Sequence, residues 1–206
     1  MKTKRIFDYF ASLAGVIVLS PLLLMIAVFI KLDSVGSVFY RSKRIGKGGR
    51  IIRVLKFRTM VEEAEHLGPP VTYAGDHRIT RFGKILRKTK LDEIPQLFNV
   101  INGDMSLVGP RAEDPKFARY FEGKYQPLLS VQPGMTGMSW VKLKHFHEER
   151  IDAGSNWEKH YVEVSLPRKL EMDLLYVNNK SLLLDVCLII QTVAGLLKNF
   201  IHPSKG

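Results

Sequence analysis

At 206 residues the chain is long enough for one domain with appendages and too short for two independent cores. Its composition, 46% hydrophobic and 25% charged, is that of an ordinary globular protein and excludes wholesale disorder, a fibre and a polytopic transporter. The 31 Lys and Arg against 20 Asp and Glu leave a formal charge of +11, which calls for an anionic partner: nucleic acid, a lipid headgroup or a phosphorylated metabolite.

Residues 9–30 contain no charge, and as a helix they extend about 33 Å at 1.5 Å per residue, enough to cross a bilayer. A secretory signal has a shorter apolar region and then a small-residue cleavage site, whereas this run stays bulky through Leu22, Leu24, Ile26 and Ile30. The segment is therefore expected to remain in the mature protein. Lys2, Lys4 and Arg5 precede it, and Lys31, Arg41, Lys43 and Arg44 follow, so both flanks favour the cytoplasm. Ser20-Pro21 sits near its middle, where proline removes a backbone donor. From these residues alone, a re-entrant hairpin and a kinked spanning helix both stay open.

The remainder reads as a soluble domain. Residues 37–60 alternate β-branched and basic residues around a Gly-rich turn, which predicts two short strands. A polar helix is expected over 61–67, a loop over 68–77 from its Pro-Pro and Gly content, and a basic amphipathic helix over 79–90. Ile94, Leu97, Phe98 and Ile101 recur at helical spacing and Asn102-Gly103 is a stop, so Asp92 and Glu93 open a helix. A loop is expected around residues 132–134, and a strongly apolar helix over 181–200 that packs in a core or lies on a membrane surface.

An Asp-Glu pair at a helix start is ordinarily a cap. Here Arg78, Arg81, Lys84, Arg87, Lys88 and Lys90 precede it without an intervening acid. Cations beside a helix N-terminus stabilise phosphate and are expected to keep a carboxylate at low pKa, able to hold Mg²⁺ or attack phosphorus. Other chemistries fit less well. Cys187 has no partner for a disulfide and lies in an apolar run, where a buried structural thiol is expected. Residues 45–50, I-G-K-G-G-R, lack the spacing of a dinucleotide loop, and His145, His147, Glu148 and Glu149 lack H-E-x-x-H spacing. Single-strand nucleic-acid binding wants aromatics among the cations, and 79–90 offers only Phe82, so no nucleic-acid partner is expected. A membrane-surface scaffold would need neither Asp92 nor a divalent ion.

An ordered set of motifs resembles the bacterial sugar transferases, in particular the small monotopic phosphoglycosyl transferases that start glycan assembly on polyprenol phosphate. The matching segments are K-R-I-F-D at 4–8, Ser20-Pro21, G-S-V-F-Y-R-S-K-R-I-G at 36–46, K-F-R-T-M at 56–60 and D-H-R-I-T-R-F-G-K-I-L-R at 76–87. They continue with L-D-E-I-P-Q-L-F-N-V at 91–100, G-D-M-S-L-V-G-P-R at 103–111, P-G-M-T-G at 133–137 and D-L-L-Y-V at 173–177.

The resemblance implies an α+β fold: a mainly helical catalytic domain over 36–206 with a small β element, amphipathic surface helices, and an N-terminal re-entrant membrane helix hairpin over 1–35 broken at Ser20-Pro21. It implies that Asp92 attacks the β-phosphate of a UDP-sugar, expels UMP and carries the phosphosugar until polyprenol (undecaprenyl) phosphate takes it. Glu93 would assist metal binding or proton transfer, and Mg²⁺ would contact Asp92 and the diphosphate. Arg87 and Arg111 match family positions placed for phosphate, as do Lys56, Arg58 and Arg78. The expected place is the cytoplasmic face of the bacterial inner membrane, in contact with lipid, and a homodimer is compatible with it. Two departures bear on sugar or nucleotide preference: G-P-R-A-E-D at 109–114 where many members have G-P-R-P-E, and Q-P-G-M-T-G-M-S-W-V at 132–141, in which Gln132 replaces a cation and Ser139-Trp140 replace Ala-Gln.

Overall fold

The uncharged N-terminal run becomes helix α1, Lys2–Asp33, with Pro21 inside it. In this computed structural model, which describes residues 2–64, 66–67, 76–143 and 157–201, the Ser20 hydroxyl donates to the Ile17 carbonyl at 2.8 Å. That carbonyl is the acceptor a residue at position 21 would ordinarily use, and proline has no N–H to offer it. Ile17, Val18, Leu24 and Met25 around this point are exposed. Only 11% of the most apolar stretch of α1 is buried against the rest of the chain, so α1 is not a core helix. Among the described residues α1 is the one helix long and apolar enough to cross a membrane.

Strands β1, Phe39–Ile45, and β2, Ile51–Phe57, form the expected antiparallel hairpin, in register from Phe39 opposite Phe57 to Ile45 opposite Ile51. The turn needs its glycines: Gly48 and Gly49 have φ of 70° and 77°, where a Cβ is strained. The helix expected over 61–67 does not form among its described residues, which make turns, and Glu63 has a left-handed φ of 61° that a helix cannot hold.

Helix α2, Arg81–Thr89, starts at Thr80, whose hydroxyl accepts from Gly83 N at 3.0 Å, and ends at Lys90 in the left-handed region. A short 3₁₀ turn, Leu91–Glu93, then leads into α3, Gln96–Asn102, which Gly103 closes with φ 86°. The acidic pair therefore precedes α3 in its own turn instead of opening the helix.

The loop expected around residues 132–134 gives way at Gly134 to strand β4, Gly134–Thr136. It pairs in parallel with β3, Ser106–Val108, through Ser106 opposite Gly134 and Val108 opposite Thr136. The two backbones come so close that a Cβ on Gly134 would lie 2.1 Å from Gly109 N. Two 3₁₀ segments, Pro115–Phe121 and Gly123–Ser130, join these strands. After β4 come α4, Met138–Lys142, α5, Trp157–His160, a π-helical turn Tyr161–Ser165, α6, Leu166–Asn179, and α7, Leu182–Ile201.

Val108, Phe121, Leu128, Leu170, Tyr176 and Leu188 centre the main core, while Ile26 and Ile30 of α1 form a smaller one with Phe57 and Leu86. Cys187 is exposed, contrary to the expectation of a buried thiol. Helix α7 is amphipathic: Asp185 and Leu188 turn inward, and Cys187 falls on the outward row with Leu183, Ile190 and Leu197.

Candidate active site

The turn between α2 and α3 places Asp92 and Glu93 beside β2 and the segment after β3. Asp92 is 8% exposed, and its Oδ1 is buried without a hydrogen-bond partner. Burial first, and the adjacent Glu93 charge second, push its carboxyl above the ordinary range, against the pull of Lys56, Lys90 and Arg87. The expectation of a low pKa is corrected here: the cations are outweighed by desolvation and by the second acid. Glu93 behaves oppositely. Burial disfavours its charge, but Lys56, whose Nζ lies 2.7 Å from Oε1, together with Arg111 and Lys90, brings it to about 2.

Of the expected cations, Lys56, Arg87 and Arg111 gather here. Arg87 reaches in from the last turn of α2, its Nε donating to Thr59 Oγ1 at 2.7 Å, and it is electrostatically coupled to Asp92. Arg111 follows β3. Its backbone N–H donates to Asp173 Oδ2 at 2.9 Å, its Nε lies 3.7 Å from Glu113 Oε1, and Glu93 adds to its charge stabilisation.

Arg58 and Arg78 have their guanidiniums engaged with backbone and with Asp76, and Asp76 and Arg78 both act electrostatically on Arg87. The Arg58 guanidinium donates to the carbonyls of Ser34 and Val35 and to Ser34 Oγ at the end of α1. Arg78, 2% exposed, donates to both oxygens of Asp76 and to the Ala64 carbonyl. Arg81, Lys84 and Lys88 are exposed on α2, so the six-cation run does not converge on the acids as a unit. Ser20 and Pro21 stand far along α1, both exposed.

Sequence reasoning missed a polar group behind Arg111. Glu113, 4% exposed, accepts from Tyr161 Oη at 2.8 Å, and burial together with Glu113 pushes the Tyr161 phenol up. Asp173, 2% exposed, accepts from both Arg111 N and Ser139 N, the latter at 3.2 Å, and burial raises its carboxyl to about 6. The signal available was the presence of Asp173 in D-L-L-Y-V and of Glu113 in G-P-R-A-E-D. Asp173 thus joins the backbone of Arg111, in G-P-R-A-E-D, to that of Ser139, one of the residues that depart in Q-P-G-M-T-G-M-S-W-V.

The donor set suits a hard divalent cation in a limited way. Asp92 Oδ1 is an unpaired buried carboxylate oxygen, the group such a cation takes together with substrate phosphates and water. Among the described residues no three His, Cys, Asp or Glu side chains converge, and magnesium ordinarily completes its sphere with substrate phosphates and water. The acids and histidines at 145–149 lie outside the described residues.

Comparison with known proteins follows the same line. Residues 1–199 match the model of a family described as bacterial sugar transferase. The chain is 38% identical over 200 residues to the UDP-N-acetylgalactosamine-undecaprenyl-phosphate N-acetylgalactosaminephosphotransferase of Aeromonas hydrophila, covering 96% of this chain and 44% of that protein. It is 36% identical over 199 residues to the exopolysaccharide production protein PSS of Rhizobium leguminosarum bv. phaseoli, covering 93% of this chain and 94% of that one. It is also 36% identical over 199 residues to a UDP-glucose:undecaprenyl-phosphate glucose-1-phosphate transferase of Caulobacter vibrioides, covering 94% of this chain and 69% of that protein. The chain thus spans less than half of the Aeromonas protein and nearly all of the Rhizobium one.

Proposed function

The chain belongs to the bacterial sugar transferases, and on that premise we propose that it moves a phosphosugar from a UDP-sugar to undecaprenyl phosphate, with Asp92 as the covalent carrier. The observation that carries this reading is the buried, unpartnered Asp92 Oδ1, with Arg87 acting on it and Arg111 acting on the adjacent Glu93. In the first half-reaction a carboxylate oxygen of Asp92 bonds to the β-phosphorus, and the bond from that phosphorus to the bridging oxygen breaks. UMP leaves with that oxygen and its electron pair. In the second, a phosphate oxygen of undecaprenyl phosphate bonds to the same phosphorus and the aspartyl oxygen departs. Arg87 and Arg111 take up the phosphate charge, which a positioned guanidinium does well through paired donors.

Glu93 has its charge held by Lys56 and Arg111, which favours a part in fixing these two cations over one in moving a proton. Mg²⁺ fits the unpaired oxygen of Asp92, where it would neutralise diphosphate charge as UMP departs. Arg58 and Arg78 are left out of phosphate binding, because their guanidiniums hold α1 and the 61–64 turn.

The membrane segment is read as re-entrant from the cytoplasmic face. Arg5 and Asp8 near one end of α1, and Asp33 at the other, all hydrogen-bond to the same domain. A straight passage through a hydrocarbon core of about 30 Å would strand one end on the far side. Cations on both flanks favour the same side.

The test is intact mass and UMP release after mixing the membrane-reconstituted enzyme with a panel of UDP-sugars. A phosphosugar mass increment and about one UMP per site before acceptor arrives are expected, as for a ping-pong enzyme. Asp92→Asn keeps the shape and should lose both. Absence of the increment in the parent, with near-normal turnover by Asp92→Asn, would remove the covalent route.

A further inference from the structure

The ends of α1 grip the elements that deliver the site's cations. Near the N-terminus, Asp8 is 3% exposed although it sits in a helix that is otherwise apolar beyond it. A buried carboxylate is tolerated only when bonded. Asp8 Oδ2 accepts from Ser106 Oγ at 2.8 Å and Oδ1 from Leu107 N at 3.3 Å. Both partners belong to β3, and Arg111 follows three residues after that strand ends. Arg5, on the same stretch of α1, donates to the carbonyls of Val100 and Ile101 and so closes the C-terminus of α3, the helix that runs out of the Asp92-Glu93 turn.

At the opposite end, Asp33 Oδ2 accepts from Phe82 N at 3.0 Å, in the first turn of α2, the helix that carries Arg87. The backbone just beyond, at Ser34 and Val35, is held by Arg58, which directly follows β2, the strand that carries Lys56. Arg111 is thus referred to one end of α1, and Arg87 with Lys56 to the other.

We infer that Asp8 and Asp33 are positioning residues for the phosphate-binding arginines, Asp8 acting through β3 on Arg111 and Asp33 through α2 on Arg87, so that the shape α1 takes in the bilayer sets the spacing of the two guanidiniums. Neither carboxylate touches substrate. The inference rests on the phosphosugar-transfer reading for what the arginines hold, and on the hydrogen bonds alone for how they are held.

Each carboxylate is tested in a double-mutant cycle on protein reconstituted in anionic nanodiscs, with UDP affinity by calorimetry and first-turnover UMP release from a UDP-sugar as the two readouts. Asp8→Ala and Asp33→Ala should each lower both by about ten- to a hundredfold, since a 1 Å misplacement of a binding group can cost about 10²-fold. Asp8→Asn and Asp33→Asn, which keep an acceptor oxygen, should recover most of the loss. In an Arg111→Lys background Asp8→Ala should add nothing further, whereas in an Arg87→Lys background its full effect should persist; Asp33→Ala should show the converse. A purely structural role predicts losses that multiply equally in either background, and that result, or parent-like behaviour of both alanine variants, overturns the inference. If Asp8→Ala does not fold, Ser106→Ala cuts the same bond from the β3 side and is held to the same pattern. A parent that binds UDP but releases no UMP removes the transfer reading, while the cycle on UDP affinity still decides the positioning.

Discussion

Asp92 and Glu93 are neighbours in sequence that respond to one field in opposite ways. Lys56 stands 2.7 Å from Glu93 and only pulls on Asp92 from further off, so one carboxyl is held well ionised while the other is pushed toward its neutral form. The Lys56–Glu93 pair is partly exposed, at 24% and 28% of the side-chain surfaces. Such a pair contributes at most about 1 kcal/mol to folding. Its value lies in the site. Lys56→Met should leave the melting temperature within a few degrees of the parent and slow the UMP burst by about 10²-fold, as loss of one preorganised charge does elsewhere. The double variant Lys56→Met/Glu93→Gln should be no slower than the worse single one, because the two act as a unit. Rapid-quench measurement of UMP in all three variants checks this; independent, multiplying losses would separate the two roles.

At the scale of elements, Asp173 on α6 fastens the start of α4 to the residue that bears the Arg111 side chain. Its carboxyl, raised to about 6 by burial, keeps its proton in the folded protein up to that pH. The unfolded chain releases it near 3.8, so stability falls as pH rises from about 4 to about 6 and then levels. The full change is roughly 3 kcal/mol at 1.36 kcal/mol per unit. Thermal melts of detergent-solubilised protein between pH 4 and 8 should show this slope, and Asp173→Asn should flatten it; an unchanged slope would place its origin elsewhere.

The β3–β4 pair makes a second demand. Since a Cβ on Gly134 would meet Gly109 N at 2.1 Å, Gly134→Ala must part the two strands. It should cost at least about 1–3 kcal/mol, as overpacking does, and lower UDP affinity, because Gly109-Pro110-Arg111 moves with the strand. Melting and calorimetry on the one variant test both effects.

These elements also mark where the sequence was readable. The hairpin, α2, α3 and α7 follow from alternation, helical spacing and the Gly48-Gly49 and Gly103 stops, all of them local signals. The acids stood out because the cations of 78–90, Arg87 among them, lead up to them along the chain, whereas Arg111 stood out only through its place in G-P-R. Strand β4 was hidden because P-G-M-T-G has the composition of a turn, and a parallel partner 28 residues away in register, Ser106 for Gly134, leaves no local trace. Asp173 and Glu113 were equally hidden, since what makes them matter is burial against distant backbone. The sequence shows the charge of Arg58 and Arg78 but not the carbonyls and the Asp76 carboxylate to which they bond.

For the whole molecule the governing question is how α1, a helix of bilayer length, has both its ends bonded to one domain. If α1 enters and leaves by the same face, Thr3→Cys and Val35→Cys, made separately, should react with an impermeant maleimide only from the cytoplasmic side of oriented vesicles. Labelling of position 35 from the other side would show a spanning helix. Pro21→Leu restores a backbone donor for the Ile17 carbonyl now taken by Ser20, so it should straighten α1 and shift part of the population toward spanning. The same labelling reads this out.

Cys187 bears on every such measurement. It is the chain's only thiol and it faces outward on α7, so any maleimide applied to the parent will find it, and the paired cysteine probes must be made on a Cys187→Ser chain. Left in place, the same thiol becomes a native reporter. One polarity-sensitive fluorophore attached there sits in the row with Leu183 and Ile190, and its emission should shift to the blue when empty vesicles are added if that face of α7 rests among acyl chains, and stay unchanged if it faces water.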